Sequence, residues 1–122
     1  MKIGSAKDYL LGLPFSEETY PFGPDVMVFK IKGKMFATLA EDEAEGRMNL
    51  KCDPHEALML RDLFKAVIPG YHMNKKHWNT VCLDGTIPQG EIERMIDNSF
   101  SLVVKSLPKK VSQHIPWEQK SA

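Results

Sequence analysis

Between Val26 and Leu39, apolar and polar side chains alternate with a period of two. Met27, Phe29 and Ile31 fall on one side and Val28, Lys30 and Lys32 on the other, which predicts a half-buried strand. Gly33 supplies a residue suited to a tight turn, and Lys34 to Leu39 reads as the returning strand. The acidic run Glu41, Asp42, Glu43 and Glu45, ending at Gly46, is a solvated turn. Arg47 to Cys52 alternates again, with Met48, Leu50 and Cys52 facing inward.

Helical spacing occurs in three places. Tyr9, Leu10 and Leu13 give an N-terminal segment an apolar face; Ser5 and Asp8 are spaced for a capping box, and Gly12 and Pro14 close the segment. Asp53, Pro54 and Glu56 combine an N-cap, a proline at the first helical position and a carboxylate placed to return the capping bond. Leu60, Leu63, Phe64 and Val67 then form one stripe before Pro69-Gly70 stops the helix. Ile92, Met95, Ile96, Ser99, Val103 and Leu107 recur at helical spacing between Pro88, read as a first helical residue, and Pro108.

Pro14 to Pro24 reads as loop, with Phe15, Tyr20 and Phe22 lying against the body. Tyr71 to Leu83 reads as two short strands around a polar bend at Asn74-Lys75-Lys76, followed by an Asp84-Gly85 turn. The order α-β-β-β-α-β-β-α predicts an α+β fold: one antiparallel sheet with its helices packed on one face.

The chain has 122 residues and a mass of 13.9 kDa, the size of one domain that buries roughly two-thirds of its unfolded surface. Sixteen Lys and Arg balance sixteen Asp and Glu, which excludes a strongly basic, histone-like binder. Two cysteines, Cys52 and Cys82, are too few for a secreted disulfide scaffold and point to a reducing cytoplasm. No C-x-x-C occurs, so neither a zinc ribbon nor a redox pair is indicated, and both thiols read as inert. The N-terminal residues lack the apolar run of a signal peptide, and no stretch approaches the ~20 apolar residues needed to cross a bilayer.

Several segments together carry a resemblance: TYPFGPDVMVFKIKGKMFATL at 19–39, NLKCDP at 49–54, GYHMNKKHW at 70–78, NTVCLDGTIP at 79–88 and SFSLVVKSLPKK at 99–110. In order and spacing the chain resembles the MmcQ/YjbR family of small bacterial proteins almost end to end. The tail after Lys110 lies outside the likeness. The resemblance implies a fold like that of the bacterial frataxin homologue (CyaY-like) over residues 1–110; residues 111–122 read as a C-terminal tail, and whether it packs on the body through Trp117 is open at this point. It also implies DNA binding through a double wing, two β-hairpins reaching toward the duplex. It brings no enzymatic activity and no cofactor.

The residues offer two such wings. Lys30, Lys32 and Lys34 surround Gly33, and Lys75 and Lys76 are flanked by His72, Asn74, His77 and Asn79. Lysines near hairpin tips suit phosphate contacts, the asparagines can donate to phosphates or base edges, and Trp78 can stack on an unpaired base. In a meander, consecutive turns lie at opposite ends, so the acidic turn is expected opposite the Gly33 turn. Which end carries the Lys75 bend is open, because a helix intervenes.

Three alternatives stand beside this reading. The Tyr71–Asn79 segment, with Tyr71, Met73 and Trp78, suits a protein- or peptide-binding surface without catalysis. The acidic run resembles an iron-binding ridge by fold analogy, yet lacks the spacing of a calcium loop. Enzymatic chemistry finds no G-x-S-x-G, H-E-x-x-H or phosphate-cradling glycine loop. The expectation is a monomeric, non-enzymatic cytoplasmic protein that contacts DNA phosphates, with no metal, cofactor or membrane association.

Overall fold

The computed structural model describes residues 1–70 and 73–118. The elements are α1 (Ile3–Leu11), β1 (Ser16–Thr19), β2 (Val26–Ile31), β3 (Lys34–Asp42), β4 (Glu45–Lys51), α2 (Pro54–Leu63), β5 (Val67–Pro69), β6 (Trp78–Leu83), α3 (Gln89–Ser106) and α4 (Lys109–Ser112). Six strands form one sheet in the order β1-β2-β3-β4-β6-β5, every neighbouring pair antiparallel. The helices pack on one face: α1 against β1 and β3, α3 across β2, β3 and β4, α2 against β5 and β6.

The period-two phase decides which side chains meet those helices. Phe29, Leu39, Met48 and Val81 point into the core with Ile96 and Phe100 of α3, and all six are at most 1% exposed. A β-bulge between Phe29 and Lys30 lets both Phe36 and Ala37 face inward, and the Phe36 ring meets Phe100 edge-on at 5.0 Å. Beyond the bulge the β3–β4 ladder ends at Ala37 and Leu50. Ser99 bridges the gap: its hydroxyl donates to the Phe36 carbonyl at 2.5 Å and accepts from the Lys51 N–H at 2.9 Å.

The structure departs from the sequence pattern at several points. Ser16–Thr19, inside the segment read as loop, is the edge strand β1. It lacks apolar alternation and is held instead by its ladder to β2 and by the Thr19 hydroxyl on the Val28 carbonyl at 2.9 Å. The second helix stops at Leu63, which is 70% exposed, and Val67 starts a strand. There the chance to extend the sheet with β-branched Val67 and Ile68 outweighs the helical stripe. The first helix begins at Ile3, so Ser5 lies inside it and makes no capping box; its N-cap, Lys2, makes no side-chain cap. Asp53 caps α2 as expected, accepting from the His55 and Glu56 N–H groups at 3.1 and 3.3 Å. Glu56 does not return the bond, because its carboxylate is held by Arg94 at 2.8 Å and Asn98 at 3.3 Å. Pro88 is the N-cap of α3 rather than its first helical residue.

After α4 the chain folds back on the body. Trp117 meets Phe100 edge-on at 4.8 Å, and its indole N–H donates to the Ser101 hydroxyl at 2.7 Å. Among the described residues no helix is long and apolar enough to cross a membrane.

Candidate nucleic-acid interface

The sheet face away from the helices carries the alternate phase of the strands, part polar and part apolar, and the register sorts it into rows. At one end Lys30 and Met35 pair across β2 and β3, and Lys51 and Trp78 across β4 and β6. The next row is Val28, Thr38, Asn49 and Thr80, and the next Val26, Ala40, Arg47 and Cys82. Asp42 and Glu45 close the far end. Successive rows lie two residues apart, about 6.6 Å along a strand. The face therefore runs from lysines to carboxylates.

Both hairpin turns of interest project at the lysine end. The β2–β3 turn carries Lys32 and Gly33, with φ of 51° and 83°. Residues 73–77, between β5 and β6, lead into β6 at Trp78, opposite Lys51. The midlines of the two hairpins are three strand spacings apart, roughly 14 Å. The β3–β4 turn lies at the other end, where Glu43 and Ala44 both adopt positive φ, 52° and 65°. That is the mirror-type turn whose twist matches an antiparallel ribbon.

Lys30 projects from the open face with Glu17 directly opposite on β1. Lys32 is exposed, its ammonium 4.2 Å from the centre of the Phe15 ring. Lys34 is exposed and reaches the Ser106 carbonyl at the end of α3, 3.4 Å away. Lys75 and Lys76 are exposed. Asn74 is also exposed and builds the turn, its side-chain oxygen accepting from the Lys76 N–H at 3.0 Å. His77 is half-buried, and its carbonyl accepts from the Cys52 N–H at 2.8 Å. Trp78 is half-buried on the open-face phase. Tyr71 and His72 lie outside the described residues.

Asn79 leaves the candidate set. It is 2% exposed and points to the helical side, accepting from Arg61 Nε at 2.7 Å and donating to the Ala57 carbonyl at 3.4 Å. It is one residue out of phase with the open face, so it cannot reach a phosphate or a base. Its partner Arg61 continues to the carbonyls of Lys75 and Trp78 and so ties the lysine loop to α2. Beside this tie lies a cleft of about 350 Å³ lined by Pro54, His55, Leu58, Arg61, Lys75 and Lys76. Asp53 already occupies the N–H groups at the start of α2, so the positive potential here comes from side chains.

A larger pocket, about 410 Å³, sits over the middle rows of the open face. Phe22 and Met73 border it, Val26 and Ala40 supply apolar lining, and Arg47 and Asp42 stand toward its acidic end. Its floor is a relay across three strands. The Thr80 hydroxyl lies 2.5 Å from Asn49 Oδ1, and Asn49 Nδ2 lies 3.0 Å from the Thr38 hydroxyl oxygen. The short contact suits O–H···O and the longer N–H···O, which fixes the amide orientation and the direction of the relay. Arg47 Nε is 3.4 Å from Asp42 and 3.9 Å from Glu45, an ion pair without hydrogen-bond geometry.

The pattern missed Lys51 and this pocket. Lys51 shares its strand phase with Asn49 and Arg47, so alternation was the available signal. That the three strands form one floor depends on the β4–β6 pairing. The acidic run does not form a ligand cage: Glu41 lies on the helical phase while Asp42 and Glu45 lie on the other. Among the described residues no group of three His, Cys, Asp or Glu is arranged to hold a metal. Burial, then Glu56 and Asp53, push the Cys52 thiol up to about 12, and burial raises Cys82 as well, so both are protonated at neutral pH.

Comparison with known proteins agrees with the fold. The YjbR family matches residues 11–102. YbdF of Escherichia coli O157:H7 is 40% identical over 111 residues, covering 91% of each chain. YjbR of Escherichia coli K12 is 32% identical over 110 residues, covering 90% of this chain and 93% of its own. The crystal structure of Deinococcus radiodurans DR2400 superposes with a TM-score of 0.85 at 34% identity, covering 99% of this chain and 95% of that one. On the match over most of its length, the chain belongs to the YjbR family.

Proposed function

We propose that the protein binds nucleic acid through its phosphate backbone at the lysine end of the sheet. The observation that carries this reading is the common placement of the Gly33 turn and the Lys75–Lys76 loop, with the acidic turn at the opposite end. A chain of zero net charge gains little from global attraction. A polarised one is oriented by the phosphate field and presents its lysines first. Lys30, Lys51, Lys75 and Lys76 engaging about four phosphates give a log–log salt slope near −3.6; Lys32 and Lys34 joining them bring it to about −5.4. Affinity for arbitrary sequence is then about micromolar or weaker at physiological salt.

The test is fluorescence anisotropy with a labelled duplex between about 50 and 200 mM salt. Replacing Lys75 and Lys76 together by alanine is expected to make the slope shallower by about 2. A flat salt response in the unaltered protein rejects the reading.

A protein partner is the second reading, favoured by one observation. Leu58, Met59 and Leu63 on α2 are 61%, 68% and 70% exposed. A partner held there binds with weak salt dependence and is lost on Met59→Lys, which leaves the lysine end intact.

A further inference from the structure

We propose that the open-face pocket receives one unpaired nucleobase of the strand whose phosphates the lysines hold, so that the protein prefers single-stranded to duplex nucleic acid. The inference rests on the backbone reading above and adds to it a site and a strand preference.

The charge gradient of the open face makes the first argument. Lys30 and Lys51 stand one row, about 6.6 Å, from the floor residues Thr38 and Asn49. At the other end Asp42 and Glu45 outnumber Arg47. A phosphate is held at the lysine row and repelled beyond the pocket. A base attached to a phosphate at the lysine row carries no charge to oppose this gradient and is within reach of the pocket.

The second argument is the chemistry of the pocket. A volume of about 410 Å³ is within the ordinary range for a small-ligand site. The Phe22 ring, 67% exposed, and the Met73 side chain border a space with apolar walls, which suits a flat ring. The floor relay runs from Thr80 through Asn49 to Thr38. Because the Thr38 oxygen accepts from Asn49, its own proton is turned away from the relay. The second amide hydrogen of Asn49 is likewise not used by Thr38. Thr38 and Asn49 each carry one further donor hydrogen beyond the relay, the chemistry that matches an acceptor edge such as the carbonyls of thymine or uracil. In a duplex both faces of the ring are stacked on neighbouring bases, so a base enters the space beside Phe22 and Met73 only from a single strand or after extrusion.

The experiment compares labelled oligo(dT) with an abasic oligonucleotide of equal length and charge. Oligo(dT) is expected to bind at least tenfold tighter, the scale of one stacked base, and tighter than duplex of the same length. Phe22→Ala and Thr38→Val are expected to bring oligo(dT) toward the abasic affinity while the abasic affinity and the salt slope stay as they are. Thr38→Val leaves an Asn49 donor unpaired; Phe22 is exposed, so its variant keeps the test valid should the first fail to fold. Lys30→Ala with Lys51→Ala is expected to weaken both oligonucleotides equally. Equal affinity for the two oligonucleotides, or indifference of oligo(dT) to both pocket variants, overturns the base site and leaves the backbone reading standing. Base-dependent binding with no salt slope keeps the pocket and rejects the lysine end. Absence of binding to every nucleic acid rejects both.

Discussion

The Ser99 hydroxyl accepts a hydrogen bond from the Lys51 N–H at 2.9 Å, so a helix on the buried face fixes the backbone of a lysine on the open one. The same hydroxyl donates to the Phe36 carbonyl. The bulge in β3 leaves these two backbone groups without each other, and Ser99, 0% exposed, supplies the missing partner. Ser99→Ala strands both. Each buried unpaired group costs about 1–3 kcal/mol, so a loss of about 3 kcal/mol is expected, seen as a fall in Tm of about 10 °C or more. Amide exchange at Lys51 should accelerate beyond the global change. An unchanged Tm would show that water replaces the hydroxyl without cost.

Arg61 and Asn79 hold the lysine loop from beneath. Their contact at 2.7 Å joins a guanidinium to a buried amide. Arg61→Ala and Asn79→Ala are each expected to destabilise by about 2 kcal/mol, with a coupling of about 1–3 kcal/mol in a double-mutant cycle. Because Arg61 also meets the carbonyls of Lys75 and Trp78, its loss should broaden or shift the backbone resonances of 73–77 while leaving those of the β2–β3 turn in place. Additive effects of the two substitutions would count against the tie.

The alkaline limb of stability follows from Cys52. Its thiol titrates near 12 in the folded chain, raised first by burial, against about 8.5 unfolded. Above about pH 8.5 the unfolded state releases a proton that the folded state keeps, so the unfolded state gains. Stability is full below that pH and is lost progressively toward pH 12. Cys82 is raised in the same direction by burial, and Tyr9 adds above about pH 10, its hydroxyl being partly buried and bonded to Asp97 at 2.9 Å. Urea melts between about pH 8.5 and 10 should show a falling midpoint in the unaltered protein and a shallower fall in Cys52→Ser. Identical slopes would remove Cys52 as the cause.

The acidic turn carries removable strain. Ala44 sits at φ 65°, where a Cβ costs about 1 kcal/mol. Ala44→Gly is expected to raise stability by up to about 1 kcal/mol, read as a higher urea midpoint at constant m, without altering nucleic-acid binding. A lower midpoint would mean that the added freedom of the unfolded chain outweighs the relief.

Strand phase, the capping of α2 by Asp53 and the stripe of α3 were legible in the sequence because each is local. Alternation at Met27, Phe29 and Ile31 needs only the pleat, and Ile92 to Val103 only the helical turn. Meander connectivity by itself also sets the acidic turn against the Gly33 turn, since consecutive hairpins must point opposite ways. What lay beyond reach was whatever depended on distant partners. Ser16–Thr19 is a strand because β2 offers it an edge, and Val67–Pro69 is one because β6 does. Asn79 looked like a donor beside two lysines; one residue of strand phase turns it under the sheet to Arg61. The placement of Lys75 and Lys76 at the Gly33 end, and of Thr38, Asn49 and Thr80 in one floor, was decided only when β6 paired antiparallel with β4. Backbone hydrogen bonding between strands far apart in the chain sets that register, and no local pattern of side chains encodes it.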